Sequence, residues 1–219
     1  MLFVSFEFIV FIAALFAVYY ICPKKLRWYV LLISSLAFYT VNSPKNIIYL
    51  AVTGLTSWAL CLWLDRISEE GAQELKKIKE KEKKKARKEK IQRTKRIVML
   101  IAVLADLAIL AYTKYTAFVI SNINEFRAHT LTGSKIFVHL GISFYTFKTV
   151  SYVLDVYRGT SRAENNPLKL MLFVTYFPQA VQGPISRWNK LGETLFEGRN
   201  AGVKPFAAGL VRIFWGYFK

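Results

Sequence analysis

Residues 97–120 form 24 positions of nearly continuous apolar character, in which Asp106 and Lys114 are the charged exceptions. Wound as a helix at 1.5 Å per residue, such a run reaches about 36 Å, enough to cross a bilayer's hydrocarbon with some tilt. A carboxylate exposed to lipid at its middle costs about 2.5–3.5 kcal/mol on insertion scales. Asp106 is therefore expected to face other helices, as a proton relay or as the structural partner of a buried donor. Lys114, two turns on, can snorkel to an interface. Further apolar runs lie at 2–21, 28–41 and 46–64, and the chain is 54% hydrophobic with 21% charged residues, less charge than a soluble domain usually carries. The run 28–41 is short for a span unless tilted or extended by its flanks. The first run lacks the positive n-region and small-residue cleavage site of a signal peptide, so it reads as a span with Glu7 at the interface. The fold class that follows is all-α: a polytopic transmembrane helical bundle.

The net charge of +17 is concentrated rather than spread. Residues 66–96 are dominated by Lys, Arg and Glu, and they hold few apolar residues to bury. Glu80–Lys84 and Glu89–Arg93 have the spacing that supports a solvated helix. By the positive-inside rule this stretch is cytoplasmic, and so is Lys24-Lys25-Leu26-Arg27. Three crossings that begin with the N-terminus outside put both basic segments on the same side. The stretch has no interleaved aromatics for base stacking, so no nucleic-acid partner is expected, and anionic membrane lipid accounts for its charge. The chain then divides into three spans (1–65), a basic cytoplasmic segment (66–96) and a second membrane part (97–219). Cys22 and Cys61 sit at or within apolar runs with no metal-ligand spacing, so neither a disulfide framework nor a metal site is expected.

On a helix beginning at Ile142, Tyr145, Lys148, Thr149, Tyr152 and Asp155 fall within an arc of about 120°, with Val156 the one apolar intruder. Ile142, Phe147, Val150, Val153 and Leu154 lie on the other side. The polar stripe lines a tunnel, or it makes satisfied interhelical hydrogen bonds. Further on, Pro178, Gly183 and Pro184 surround Gln179 and Gln182 and interrupt a helix. They form a re-entrant element or a loop between two ordinary helices; apolar flanks and the partners that both glutamines need favour the first. Arg158 and Arg187 are candidates for donor-side contacts or for the interface, where a lone arginine such as Arg187 serves simply as a topology anchor. His139 has no carboxylate at helical spacing to orient it, only Ser143, and reads as a packed histidine. Gly141-Ile142-Ser143 lacks the second glycine of a nucleophile elbow. A last apolar run begins near Pro205, an acceptable first helical position.

The segments Gly141-Ile142-Ser143-Phe144-Tyr145, Ser151-Tyr152, Asp155-Val156-Tyr157-Arg158-Gly159, Phe177-Pro178 and Gly183-Pro184 together resemble the membrane-bound O-acyltransferase family. Asp106-Leu107-Ala108-Ile109-Leu110 before Tyr112 and Lys114, and a third span ending in Trp63-Leu64-Asp65, are similar too. The likeness is to the bacterial branch concerned with alginate O-acetylation, and more distantly to the D-alanyl transfer proteins of teichoic acid modification. It implies a many-helix domain around a tunnel that joins a cytoplasmic acyl donor to an acceptor on the other side. Tyr145, Lys148, Thr149, Tyr152, Asp155, Gln179 and Gln182 are then the candidate tunnel lining.

The family also implies a catalytic histidine in a Trp-Arg-x-Trp-His-like motif further toward the C-terminus. This sequence has no such motif, and neither His129 nor His139 matches it. No catalytic residue is therefore assigned, and the chain is expected to be the N-terminal, apparently truncated portion of an O-acyltransferase. The complete enzyme is expected to move an acyl group, acetyl in this branch, to hydroxyls of an extracellular polysaccharide or cell-wall polymer. No bound cofactor is expected; an acyl thioester is the co-substrate. An acyl-carrier protein or acyl-CoA as donor, and an extracytoplasmic polysaccharide-modifying partner, are implied by the family alone. The alternatives are a non-enzymatic transporter or scaffold subunit, and an inactive fragment. One interrupted segment and no internal repeat count against a transporter built on paired broken helices.

Overall fold

Ser5 starts the first helix: its side-chain oxygen accepts from the Phe8 amide at 3.3 Å and so satisfies an end group that has no partner within the helix. In the computed structural model, which describes residues 5–42, 44, 47–126, 141–180, 185–198, 200 and 202–218, α1 (Phe6–Ile21) stops just before Pro23. A 3-10 turn (Lys24–Leu26) leads into α2 (Arg27–Asn42). Two long helices follow, α3 (Ile47–Lys77) and α4 (Lys81–Phe126), then α5 (Ile142–Arg158) and α6 (Pro167–Thr175). A second 3-10 turn (Phe177–Gln179) precedes α7 (Trp188–Phe196) and α8 (Val203–Phe218). There is no strand among the described residues.

Helices α3 and α4, of 31 and 46 residues, run without a break across the points where the composition turns basic. The stretch 66–96 is thus a helical hairpin that prolongs both helices. Lys83 pairs with Glu80 at 2.9 Å and Arg87 reaches across to Glu74 at 2.7 Å. Those pairs, one at i,i+3 and one between helices, take the place of the Glu80–Lys84 pair that sequence spacing suggests. All four side chains are well exposed, so each pair contributes at most a few tenths of a kcal/mol to about 1 kcal/mol.

Ile47–Lys77 and Lys81–Thr116 are each long and apolar enough to cross a membrane. The exterior agrees with that: Ile97, Leu100, Ile101 and Leu104 on α4 face outward, and α1 buries none of its residues although it is apolar almost throughout. An apolar surface this extensive suits lipid and not water. Helix α8 is likewise exposed along its length and meets α1 through Phe206 and Phe16, whose ring centroids are 5.4 Å apart. It starts two residues before Pro205, where a missing N–H matters little because first-turn amides have no intrahelical acceptor.

Helices α6 and α7 run out and back. Lys169, near the start of α6, places Nζ 5.1 Å from the ring centroid of Phe196 at the end of α7. Trp188 at the start of α7 packs edge-on against Tyr152 and Phe173, at 5.4 and 5.2 Å between centroids. The buried Arg27 guanidinium fastens the return: Nη1 donates to the Gly198 carbonyl at 2.9 Å and to Asn200 Oδ1 at 2.7 Å, and Nε donates to the Cys22 carbonyl at 3.2 Å. The rings of Tyr19 and Tyr20 lie 5.2 Å from its charge.

At the other end of the excursion, Gly141 touches the turn that follows α6. Its φ is +76°, and a Cβ there would stand 1.9 Å from the Ala180 carbonyl oxygen. Gly159, at the opposite end of α5, has a nearly equal φ of +74° but nothing within 4 Å. Gly159→Ala is expected to cost about 1 kcal/mol of conformational strain, and Gly141→Ala about 3 kcal/mol or more because backbone must also move. Thermal unfolding of the two variants in the same detergent compares them, and equal losses would remove the Gly141–Ala180 contact as a fold determinant.

Candidate functional site

Helix α5 has a glycine in left-handed conformation at each end, Gly141 and Gly159, and it packs against α3, α4 and α6. Tyr145, Lys148, Thr149, Tyr152 and Asp155 are all turned into the bundle, none more than 3% exposed. Phe147 faces outward, as the arc predicts. Ile142 and Val153 do not: both were placed on the opposite side by periodicity, and both are buried. Three packed neighbours enclose more of α5 than its polar arc alone.

The five polar side chains meet their hydrogen-bonding needs differently. Thr149 Oγ1 donates back to the Tyr145 carbonyl at 2.8 Å, a bond internal to the helix. Tyr152 Oη accepts from the Glu164 amide at 2.8 Å. Tyr145 Oη, Lys148 Nζ and Asp155 Oδ2 are buried without a hydrogen-bond partner among the described residues. Lys148 Nζ lies 5.8 Å from the Phe173 ring centroid, a cation–π distance. Gln179 donates through Nε2 to Ser186 Oγ at 2.8 Å, and its Oε1 is buried without a partner among the described residues. Gln182 lies outside the described residues, together with Gly183, Pro184, His129 and His139. Arg158 and Arg187 are exposed and are not gathered with the stripe.

Asp106 finds its donor on α3. Ser57 Oγ lies 2.8 Å from both carboxylate oxygens, and its single proton serves one of them at a time. The carboxylate is 1% exposed and within electrostatic reach of the Tyr145 phenol, so α3, α4 and α5 share a polar interior. The turn after α5 is strapped to α3 as well. Asp65 Oδ2 accepts from the Ala163 amide at 3.2 Å, Trp58 Nε1 donates to the Glu164 carbonyl at 2.9 Å, and Arg162 approaches Glu69 at 3.6 Å.

Sequence reasoning missed Ser57, Trp58 and Asp65 as partners, because a serine or tryptophan on an apolar helix carries no register across to its neighbour. One signal was available. Two of the segments singled out for resemblance, Trp63-Leu64-Asp65 and Ser151-Tyr152, supply Asp65 and Tyr152, which hold the adjacent amides of Ala163 and Glu164.

Among the described residues no group of His, Cys, Asp and Glu is placed to hold a metal ion. What this face offers is a set of buried donors and acceptors that can bind and orient a polar group inside an apolar shell. The Ser57–Asp106 pair is the part whose energetics can be isolated. Ser57→Ala strands a buried carboxylate and is expected to lower stability by about 2 kcal/mol. Ser57→Ala combined with Asp106→Leu is expected to recover most of that loss, since an apolar pair leaves no charge uncompensated. Unfolding of the single and double variants in one detergent gives the comparison, and a neutral Ser57→Ala would show that the carboxylate does not depend on this hydroxyl.

No protein-family profile and no solved structure matches this chain. Curated relatives do. The probable alginate O-acetylase AlgI of Pseudomonas aeruginosa is 36% identical over 106 residues, 47% of this chain and 20% of that protein. The probable alginate O-acetylase AlgI of Azotobacter vinelandii is 35% identical over 97 residues, 44% of this chain and 19% of the relative. That of Pseudomonas syringae pv. tomato is 38% identical over 80 residues, 36% and 15% respectively. The matched stretches thus span about a fifth or less of the length of these relatives. Over those residues the chain is similar to the probable alginate O-acetylases of several bacteria.

Proposed function

We propose that this chain is the N-terminal part of a membrane-bound O-acyltransferase and that the inward face of α5 forms part of the wall of its substrate path. The observation that carries the reading is the set of Tyr145 Oη, Lys148 Nζ and Asp155 Oδ2, buried and without partners among the described residues, in a chain similar to the alginate O-acetylases. Such groups are expensive inside lipid and mark substrate or ion pathways where they persist. In the reaction, an acceptor hydroxyl attacks the carbonyl of an acyl thioester. A new ester C–O bond forms, the C–S bond breaks, and the hydroxyl proton passes to a general base, which then returns it to the departing thiolate. That base is the histidine of the family's Trp-His motif, which this sequence does not contain. The acyl group is acetyl and the acceptor an extracytoplasmic polysaccharide, by analogy with the relatives' names. Its donor is an acyl-carrier protein or acyl-CoA, and an extracytoplasmic polysaccharide-modifying protein works beside it. The residues of this chain bind and orient; they do not carry out the chemistry.

The same reading sets the topology: cell membrane, several crossings, N-terminus outside, residues 66–96 cytoplasmic. Two features support it. Lys24, Lys25, the turn 159–166 and the base of the basic hairpin gather at one end of the bundle, through Arg27–Gly198, Lys169–Phe196 and Arg162–Glu69. Helices α6 and α7 also leave and return at that end, which fits a re-entrant element.

The test uses the full-length protein in a host that lacks its own acyltransferase, with acyl ester content of the secreted polymer as the readout. Asp155→Asn and Tyr152→Phe are expected to reduce transfer at least about tenfold at normal protein levels, as loss of a charge-assisted or buried hydrogen bond does. Phe147→Leu, on the outward face, is expected to leave transfer unchanged. Full activity in both polar variants would reduce the stripe to bundle packing.

A further inference from the structure

Three hydrogen-bond donors at the N-terminal end of α5 are buried and unpartnered among the described residues: Tyr39 Oη on α2, and Tyr145 Oη and Lys148 Nζ on α5. The two tyrosine rings meet edge to face, with centroids 6.4 Å apart. Lys148 follows Tyr145 by three residues and so shares its side of the helix. Gly141 brings the turn after α6 to the same place, since its Cβ position is 3.6 Å from Tyr39 Oη and lies against the Ala180 carbonyl. Gln179, next in the chain to Ala180, has its amide nitrogen committed to Ser186, and its Oε1, a neutral acceptor, is bonded to none of the three donors among the described residues.

The chemistry of this group is one-sided. An ammonium only donates, and a phenol donates far more readily than it accepts a second strong bond. The Phe173 ring near Lys148 offsets part of the cost of burying the charge but supplies no hydrogen-bond acceptor. The Asp106 carboxylate is already held by Ser57. Donors of this kind, in a medium of low dielectric and with no acceptor bonded to them among the described residues, match an oxyanion, for which charge-assisted bonds are strong and short. We propose that Tyr39, Tyr145 and Lys148 form a binding position for the carboxylate or phosphate group of a substrate. The assignment rests on reading the α5 face as a substrate path and adds the charge of the group received there. Its test reads stability and binding without acyl transfer, so either idea can fail alone.

The full-length protein is purified in a nonionic detergent, and its thermal unfolding is followed with sodium acetate or sodium phosphate replacing sodium chloride at constant ionic strength. A bound anion raises the melting temperature as its concentration passes its dissociation constant. The expected result is a rise of about 3 °C or more for the wild type at roughly a hundred times that constant. Lys148→Met is expected to abolish the rise, and Tyr145→Phe and Tyr39→Phe to weaken it. Lys148→Met is also expected to start from an equal or higher melting temperature, because it removes a buried charge that has no partner in the protein. A larger response to acetate identifies a carboxylate-bearing substrate, and a larger response to phosphate a phosphate-bearing one. A rise that persists in Lys148→Met is general salt exclusion and overturns the proposal. So does a wild type that answers neither anion, or a Lys148→Met that unfolds well below the wild type, which shows that the lysine's partner is a carboxylate of the protein itself.

Discussion

A charged side chain that meets lipid at mid-membrane is costly, and that penalty accounts for the way α5 and the middle of α4 are turned. Asp106, Lys148 and Asp155 lie on two helices whose outer faces are apolar, and all three point inward. The arrangement inverts that of a soluble bundle, whose polar residues face water. Here the interior holds the polar groups, and their mutual satisfaction decides what is structural. The carboxylate with a hydroxyl donor, Asp106 with Ser57, ties α3 to α4. Groups buried without such a partner raise the energy of the folded chain, so each calls for an explanation beyond packing.

A face of this kind is useful only if it is held still, and α5 is fastened at both ends. At one end the Gly141 backbone lies against Ala180, a contact open to glycine alone. At the other, Asp65 and Tyr152 receive two consecutive amides, Ala163 and Glu164, so the chain leaves α5 in a set direction. Arg27 then anchors the far side of the α6–α7 excursion through three carbonyl or amide oxygens. These contacts join residues up to 173 positions apart. Together they make the position of Lys148 and Tyr145 a property of the whole bundle and not of one helix.

Much of this was legible before any coordinates. The runs 2–21, 28–41, 46–64 and 97–120 correspond to α1, α2 and the apolar portions of α3 and α4, because length and continuous hydropathy are strong one-dimensional signals. The polar arc of α5 was legible for the same reason, since a 3.6-residue period projects directly onto a face. What periodicity does not carry is the number of neighbours on each side, so Ile142 and Val153 were assigned outward although α3, α4 and α6 cover them. It also carries no register between helices. Ser57 opposite Asp106 and Arg27 opposite Gly198 are pairings in three dimensions with no local signature, and Arg27 read as one more topology charge when it is in fact a buried clamp.

The basic hairpin shows where composition misleads about structure. A run of Lys, Arg and Glu with few apolar residues resembles a disordered loop. Yet both strands of charge begin on helices already nucleated by an apolar span, and extending an existing helix avoids the nucleation cost that makes isolated polar helices marginal. With α3 as a span whose apolar portion ends near Leu64, the 13 residues to Lys77 carry the hairpin tip about 20 Å beyond it. That exceeds the Debye length of about 8 Å at physiological ionic strength. The attraction to anionic lipid expected from the sequence would therefore reach only the inner turns, at Arg66, Arg93 and Arg96, and would fade before Lys79 and Lys83. The outer turns owe their shape mainly to the helices they extend, with the exposed Arg87–Glu74 bridge a small addition, so the charge at the tip calls for a different explanation from the charge at the base.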